Sequence, residues 1–346
     1  MVTVEELLYS NYIKFDRLDK LSSLFQPGSY MDIYIDVYSM IKGLYNKEVK
    51  IVTPTIITSA IINICAHYRY YFTGKNIDTT FYIVNSKNIC ELNKKFCPNY
   101  NSKIESVYQA DERIEELIQS NIELLKVICP YLPDIHFINS DSAYETGAIM
   151  DHIMNIVNPH SMRYNVIITR DLYNYQLCSR DNTFILRPHK TKDGDCSYII
   201  NKDNLMKVVL WERKSSIKKT YINPELLYVV LALSNVPERN IKSLLNLNSA
   251  IKVLERALDT MRLVNEYNFY TNSIWMAIND VKQIASVGEA VIDHRIKAID
   301  IAFQSTVYSN TVEAQLLKFE NLYDPNTVMR INEKYFVNNP LDLEAL

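Results

Sequence analysis

The chain has 346 residues, 48% hydrophobic and 22% charged, a composition typical of a globular protein with a sizeable core. A net charge of −3 with a pI near 6.1 gives no support to nucleic-acid binding by bulk charge and leaves only a local basic stripe for that role. Cys65, Cys90, Cys97, Cys129, Cys178 and Cys196 show no CxxC spacing, so a zinc site, a disulfide framework and a disulfide-linked partner are not expected. The opening Met-Val-Thr-Val-Glu-Glu lacks a signal-peptide layout, and no apolar run is long enough to cross a bilayer. A reducing, cytoplasmic or intracellular setting without membrane contact is expected.

In chain order, the spaced apolar residues between 4 and 25 predict one or two short helices, and Gln26-Pro27-Gly28-Ser29 a turn. Ile33-Tyr34-Ile35 reads as a strand with Asp36 at its end, and Ser39 to Leu44 as a helix. Thr53-Pro54-Thr55 opens a helix to Tyr68, with proline near its start. Thr79 to Val84 is a second strand, closing at Asn85-Ser86. Residues 87–110 break the pattern. Lys94, Lys95, Tyr100 and Lys103 mix basic and aromatic side chains in a polar segment that reads as a solvated loop or as a phosphate-contacting arch. Asp111 to Val127 is amphipathic, and Asp134 to Ile138 is a third strand. Ser140-Asp141-Ser142 is expected to cap a helix from Ala143 to Val157 with Glu145 in its first turn.

Val166-Ile167-Ile168-Thr169 is a β-branched run of the kind found in buried parallel strands. Asp171 follows it, either capping a helix from Tyr173 to Leu177 or lying at the carboxyl strand edge where open α/β sheets place their sites. Asp36 has the same position after the first strand. Two such carboxylates can meet at one sheet edge, and clustered carboxylates suit Mg²⁺ or Mn²⁺. Thr183 to Pro188 and Cys196 to Ile200 extend the sheet. From Pro224 to about Phe336 only helical periodicity is seen: one helix ending before Ser234, others over 249–261, 273–286 and 288–308, and a loose tail from Asn338. The layout is α/β: residues 1–30 an N-terminal helical segment, 31–222 a mainly parallel sheet flanked by helices, and 223–346 a helical C-terminal region.

The order of these elements resembles the flap-endonuclease and 5′–3′ exonuclease superfamily, whose core is a PIN-like nuclease domain. The matching residues are Tyr34-Ile35-Asp36, then Tyr82 to Asn85 with Pro98 to Lys103 as the arch, Tyr144-Glu145-Thr146-Gly147-Ala148, and Thr169-Arg170-Asp171 through Gln176-Leu177. Arg239 to Ser243 and Asn246-Leu247-Asn248 follow as a helix–three-turn–helix-like element. The resemblance covers roughly residues 30–260 and implies a metal-dependent 5′ nuclease with Asp36, Glu145 and Asp171 as catalytic and metal-holding acids. It also implies nucleic acid, DNA rather than RNA, on Lys94, Lys95, Tyr100, Lys103, Arg239 and Lys242.

The departures are chemical. Asn85, Gly147, Ala148, Tyr173 and Arg239 stand where the family has acids, and each change removes negative charge from a site that should hold two ions about 4 Å apart. Asn246 and Asn248 stand where the family has glycines, and asparagine tolerates a left-handed turn. The chain therefore reads as a degenerate nuclease-like protein that requires no cofactor and binds nucleic acid or a protein assembly. The abundance of Asn, Ile, Lys and Tyr points to an AT-rich genome, as in some viruses, so host cell or virion is the expected place. Two alternatives follow. One is an active Mg²⁺- or Mn²⁺-dependent nuclease on Asp36, Glu145 and Asp171, with Asp141 or Asp151 contributing if helix register turns them inward. The other is a structural protein that docks through its C-terminal helices. A positive groove through Lys94, Lys95, Lys103, Arg213, Lys214, Lys218 and Lys219 would mark the nucleic-acid reading, and an exposed apolar patch the structural one.

Overall fold

A computed structural model describes residues 21–44, 53–86, 91–98, 100, 112–140, 144–157, 163–191, 194–217, 219–236, 239–264, 268–319, 321–338 and 340–346. The helices expected before residue 20, together with Lys103, Asp141 and Lys218, lie outside the described residues.

The first half alternates strand and helix: β1 (Tyr30–Asp36), α1 (Val37–Leu44), α2 (Pro54–Thr73), β2 (Asp78–Ser86), α3 (Glu91–Phe96), α4 (Glu112–Ile128), β3 (Ile135–Ser140), α5 (Thr146–Val157) and β4 (Tyr164–Ile168). A 3₁₀ helix (Leu172–Ser179) leads to β5 (Thr183–Thr191), β6 (Gly194–Ile200) and α6 (Leu205–Glu212). The six strands form one sheet in the order β3-β2-β1-β4-β5-β6; the first five neighbours in that order run parallel, and β6 is antiparallel to β5. Chain order reverses between β1 and β4. The carboxyl ends of these two strands therefore flank the crevice where open sheets place their sites. The register Ile35↔Ile168 sets Asp36 beside Thr169.

Alternation along the strands builds two cores. Met31, Ile33 and Ile35 face one side with Phe81, Ile83, Val166 and Ile168, under α2 and α4. Tyr34, Tyr82, Val84, Ile167 and Ile185 face the other side, in a core continuous with α5 and the C-terminal helices. Those helices are α7 (Leu227–Leu233), α8 (Leu247–Val264), α9 (Phe269–Ala285), α10 (Glu289–Ile299), α11 (Ile301–Ser309) and α12 (Val312–Gln315), whereas α13 (Pro325–Tyr335) packs into the first core through Val328.

Four local expectations change. Within the segment 87–110, the described residues 91–96 form a helix: α3 packs on α10, and its Phe96 meets Phe303 edge-on at 6.0 Å. Helix α5 starts at Thr146, so Glu145 precedes it, and the Glu145 carbonyl accepts from Ala148 and Ile149. The helix expected over 288–308 breaks at Asp300, whose carboxylate accepts from the Ala302 and Phe303 amides and caps α11. The tail is tied down. Leu341 is buried, the Asp342 amide donates to Asn63 (2.9 Å), and Arg69 donates to the Leu346 carbonyl (2.7 Å).

Candidate functional site: a carboxylate cluster closed by arginine

Asp36 ends β1 with its side chain 2% exposed, and three donors hold it. The Ser39 amide donates to Oδ1 (3.0 Å), as expected where a strand turns into a helix, while the Thr169 hydroxyl (3.0 Å) and the Asn174 amide group (3.1 Å) donate to Oδ2. Thr169 Oγ1 also accepts from the Asp171 amide (3.0 Å), which links the two strand ends. Burial pushes the Asp36 carboxyl up to about 7, opposed by the Ser39 amide, reinforced by Asp171, and opposed again by Thr169 and Arg239.

The two oxygens of Asp171 have different partners, and the capping reading of the sequence is seen on one of them. Oδ1 accepts from the Tyr173 amide (3.0 Å) and caps the 3₁₀ helix, while Oδ2 accepts from Arg239. The same Arg239 makes a two-pronged contact with Glu145, Nε to Oε1 at 3.1 Å and Nη2 to Oε2 at 2.9 Å. Its guanidinium lies 4.9 Å from the centroid of the Tyr173 ring, a cation–π distance. The Tyr100 hydroxyl donates to Glu145 Oε1 (2.9 Å) and completes the enclosure. Burial disfavours the arginine charge, but Asp171, Glu145 and Tyr100 outweigh it and hold the guanidinium charged well above its ordinary range.

The structure thus brings Asp36, Glu145, Asp171 and Arg239 together, and Tyr38 lies within electrostatic reach of all four. Two expected nucleic-acid contacts are corrected. Arg239, its side chain 4% exposed and engaged by two carboxylates, has no face for a phosphate. Tyr100 is fully buried with its hydroxyl on Glu145, so its ring cannot stack on a base. Lys95, Lys242, Lys214 and Lys219 are exposed, and Lys94 and Arg213 are half-buried. Asp151 is turned away and pairs with Arg180 at 2.5 Å.

The substituted positions have acquired other partners. Asn85 donates to Asn139 Oδ1 (2.9 Å) across β2 and β3. A Cβ on Gly147 would come within 2.5 Å of Asn174 Oδ1 and 2.8 Å of the Ile301 methyl. The side chain that binds Asp36 therefore fills the space that any larger residue at 147 would need. Tyr173 accepts from Gln304 Nε2 (2.7 Å) while its ring faces Arg239. In the helix–turn element the positive φ falls on Asn240 (55°). Asn246 accepts from the Ser249 amide (2.9 Å) at the start of α8, and Asn248 accepts from Ser215 (2.5 Å).

Ser39, Thr169 and Asn174 are hydrogen-bond partners of Asp36 that sequence reasoning did not assign. Their only signal is position, since each lies two to three residues from one of the two strand-end aspartates. The arrangement does not fit the divalent metals that the resemblance implies. Glu145 and Asp171 converge on a guanidinium, the Asp36 oxygens are taken by protein donors, and among the described residues no group of three or more His, Cys, Asp or Glu could hold a metal ion.

No family model matches the sequence, and no curated protein matches it. Structure comparison gives a clear answer: the chain has the PIN-like fold of the flap endonuclease and 5′–3′ exonuclease superfamily. It is similar to the flap endonuclease of bacteriophage T5, solved with lysine in place of one aspartate as a pseudo-enzyme–product complex with DNA and metal ions. The TM-score is 0.56 at 11% identity, covering 88% of this chain and 98% of that one. It is also similar to the T5 5′-exonuclease with divalent zinc bound, at a TM-score of 0.57 and 10% identity over the same shares. Among the described residues no helix is long and apolar enough to cross a membrane. Cys65, Cys97, Cys129 and Cys178 are free thiols.

Proposed function

We propose that the chain is a nuclease-fold protein that has lost phosphodiester cleavage and serves as a nucleic-acid-binding or scaffold subunit of a nucleic-acid-processing assembly, viral in origin and acting on DNA rather than RNA. One observation carries the reading: the Arg239 guanidinium sits on Glu145 and Asp171, two of the three acids a nuclease of this fold would need. Two-metal hydrolysis uses paired cations to clamp the attacking and leaving oxygens and to lower the pKa of a water. A guanidinium has no coordination site for water and cannot generate hydroxide. A structure of this fold in complex with DNA supports nucleic acid as the ligand, and exposed Lys95, Lys242, Lys214 and Lys219 supply phosphate-binding charge. With no metal chemistry to perform, the residues around Asp36 hold the sheet edge and the 3₁₀ helix in place.

The test is a fluorescent-oligonucleotide assay on the wild type with single-stranded, duplex and flap DNA and matched RNA, in Mg²⁺ and then Mn²⁺, beside the Asp36→Ala/Asp171→Ala double variant. Salt-sensitive binding without cleavage is expected. Cleavage lost in the double variant would overturn the loss of chemistry. Absence of both binding and cleavage would overturn the nucleic-acid reading and leave the helical C-terminal region as a protein-docking surface.

A further inference from the structure

A cleft opens at the amino end of the sheet, away from the carboxylate cluster. Five parts of the chain meet there: Met154 of α5, Asn165 near the start of β4, Arg180 and Asp181 after the 3₁₀ helix, Lys202 after β6 and Glu225 just before α7. Its volume is about 330 Å³, enough for a small molecule. The back wall is polar and unsatisfied. Asn165 is only 5% exposed, and its Oδ1 accepts no hydrogen bond among the described residues. Buried polar atoms in folded proteins nearly always have partners, so an acceptor left open on a cleft wall points to a donor that comes from outside. Met154, itself buried, gives the same wall an apolar surface.

The charges at the mouth give the sign of the ligand. Arg180 is neutralised within the protein, since it pairs with the buried Asp151 at 2.5 Å and donates to Asn155 at 3.1 Å. Lys202 faces two carboxylates, with its ammonium 3.2 Å from Asp181 and 3.2 Å from Glu225. One ammonium balances one carboxylate, so the described lining keeps an excess negative charge. An anion would have to take Lys202 from both acids and would leave Asn165 Oδ1 unsatisfied. A bare divalent ion would find Lys202 already between the two acids, and it would make no use of Met154. An alkylammonium group has three N–H donors and no acceptor, which suits an open acceptor as well as a carboxylate. We propose that this cleft binds a short aliphatic di- or polyamine, one ammonium on Asn165 at the back wall, the methylenes along Met154, and a second ammonium sharing Asp181 and Glu225 with Lys202. The cleft lies at the other end of the sheet from Asp36 and Asp171, so its occupancy does not depend on the fate of the nuclease chemistry.

The experiment is equilibrium dialysis of the full chain against labelled diaminobutane at pH 7.5 and low ionic strength, with the rise in melting temperature as a second readout. One molecule is expected to bind with a dissociation constant below about 1 mM and to be released by added salt. Butylamine, with one ammonium, is expected to bind at least about tenfold more weakly, and the uncharged butanediol not to bind. Asp181 and Glu225 are 81% and 49% exposed, so Asp181→Asn/Glu225→Gln leaves the core untouched. In that variant Lys202 is unopposed, and diaminobutane binding is expected to weaken at least about tenfold. Asn165→Leu, which removes the open acceptor, is expected to abolish it. If Asn165→Leu fails to fold, the surface pair decides alone. Glu123→Gln, an exposed acid on α4, should leave binding unchanged. No binding to the wild type at millimolar diamine, equal binding by the wild type and the surface-pair variant, or equal binding of butanediol would each overturn the proposal.

Discussion

Asp32 and Asp36 lie on the same face of β1, at opposite ends of the strand, and both are buried. At the carboxyl end, Asp36 receives an amide, a hydroxyl and a carboxamide and joins a network running through Thr169 to Asp171, Arg239 and Glu145. At the amino end, Asp32 has Arg163 at 3.4 Å, and among the described residues neither of its oxygens accepts a hydrogen bond. The Tyr34 hydroxyl and Asn165 Oδ1 nearby are also without partners among the described residues. Burial raises both carboxyls, Asp32 to about 6 against the pull of Arg163 and Asp36 to about 7. A raised carboxyl therefore does not by itself distinguish a site from a buried acid. Here the distinction lies in connectivity: at the switch point of the sheet the polar groups are joined into one network, and at the other end they are not.

Removing the central cation should break this contrast most severely. Arg239→Met leaves the buried Glu145 and the part-buried Asp171 without their counter-ion, and breaking a buried ion pair in this way typically costs about 3–5 kcal/mol. Urea denaturation at pH 7 in chelator should show that loss. The matching change at the amino end, Arg163→Met, should cost roughly 1 kcal/mol or less, because Arg163 is 26% exposed and its partner can take up a proton. Equal losses at the two ends would show that the network adds nothing beyond simple ion pairing.

A methyl group added at Gly147 tests a subtler point. It would collide with Asn174 Oδ1 and the Ile301 side chain, so Asn174 must leave Asp36 or α5 must shift. Overpacking of this kind costs about 1–3 kcal/mol. The expected readout is a lower melting temperature for Gly147→Ala, largely relieved when Asn174→Ala is combined with it. If the double change gives no relief, the clash is with Ile301 and the Asn174 contact is incidental.

Much of the fold was legible because strands β1, β2 and β4 are short β-branched or aromatic runs ending in polar residues, and the helices between them have apolar periodicity. Both strand-end aspartates were legible for the same reason: strand and sheet order place them side by side whatever else the chain does. The partners of Glu145 were not legible. Arg239 reaches it across 94 residues and Tyr100 across 45, and no local pattern encodes such pairings. Tyr100 was also masked by its neighbours, since a lysine-rich polar segment conceals one tyrosine that points inward. The break at Asp300 was missed because apolar spacing continues through it, so the cap decides the boundary there and periodicity does not. The tail looked unanchored because its anchors, Asn63 and Arg69, lie on α2 at the other end of the sequence.

The remaining test concerns the pH dependence of the two aspartates. In each case the folded carboxyl lies above its ordinary value of 3.8, so the folded state holds a proton more tightly than the unfolded one. The stabilisation linked to that proton is complete below about pH 4. It is lost as pH rises through the folded value, near 6 for Asp32 and near 7 for Asp36. Stability measured by urea denaturation should therefore fall between pH 4 and pH 7, in two overlapping steps. Asp32→Asn should remove the earlier step and raise stability at pH 8, because the cost of burying the charged carboxylate exceeds the pull of Arg163. Asp36→Asn should remove the later step, and it should also perturb the 3₁₀ helix, because its new amide group would meet the Thr169 and Asn174 donors. If the two substitutions gave the same pH profile, Asp36 would be no more than a second buried acid, and the network around it would not tune its protonation.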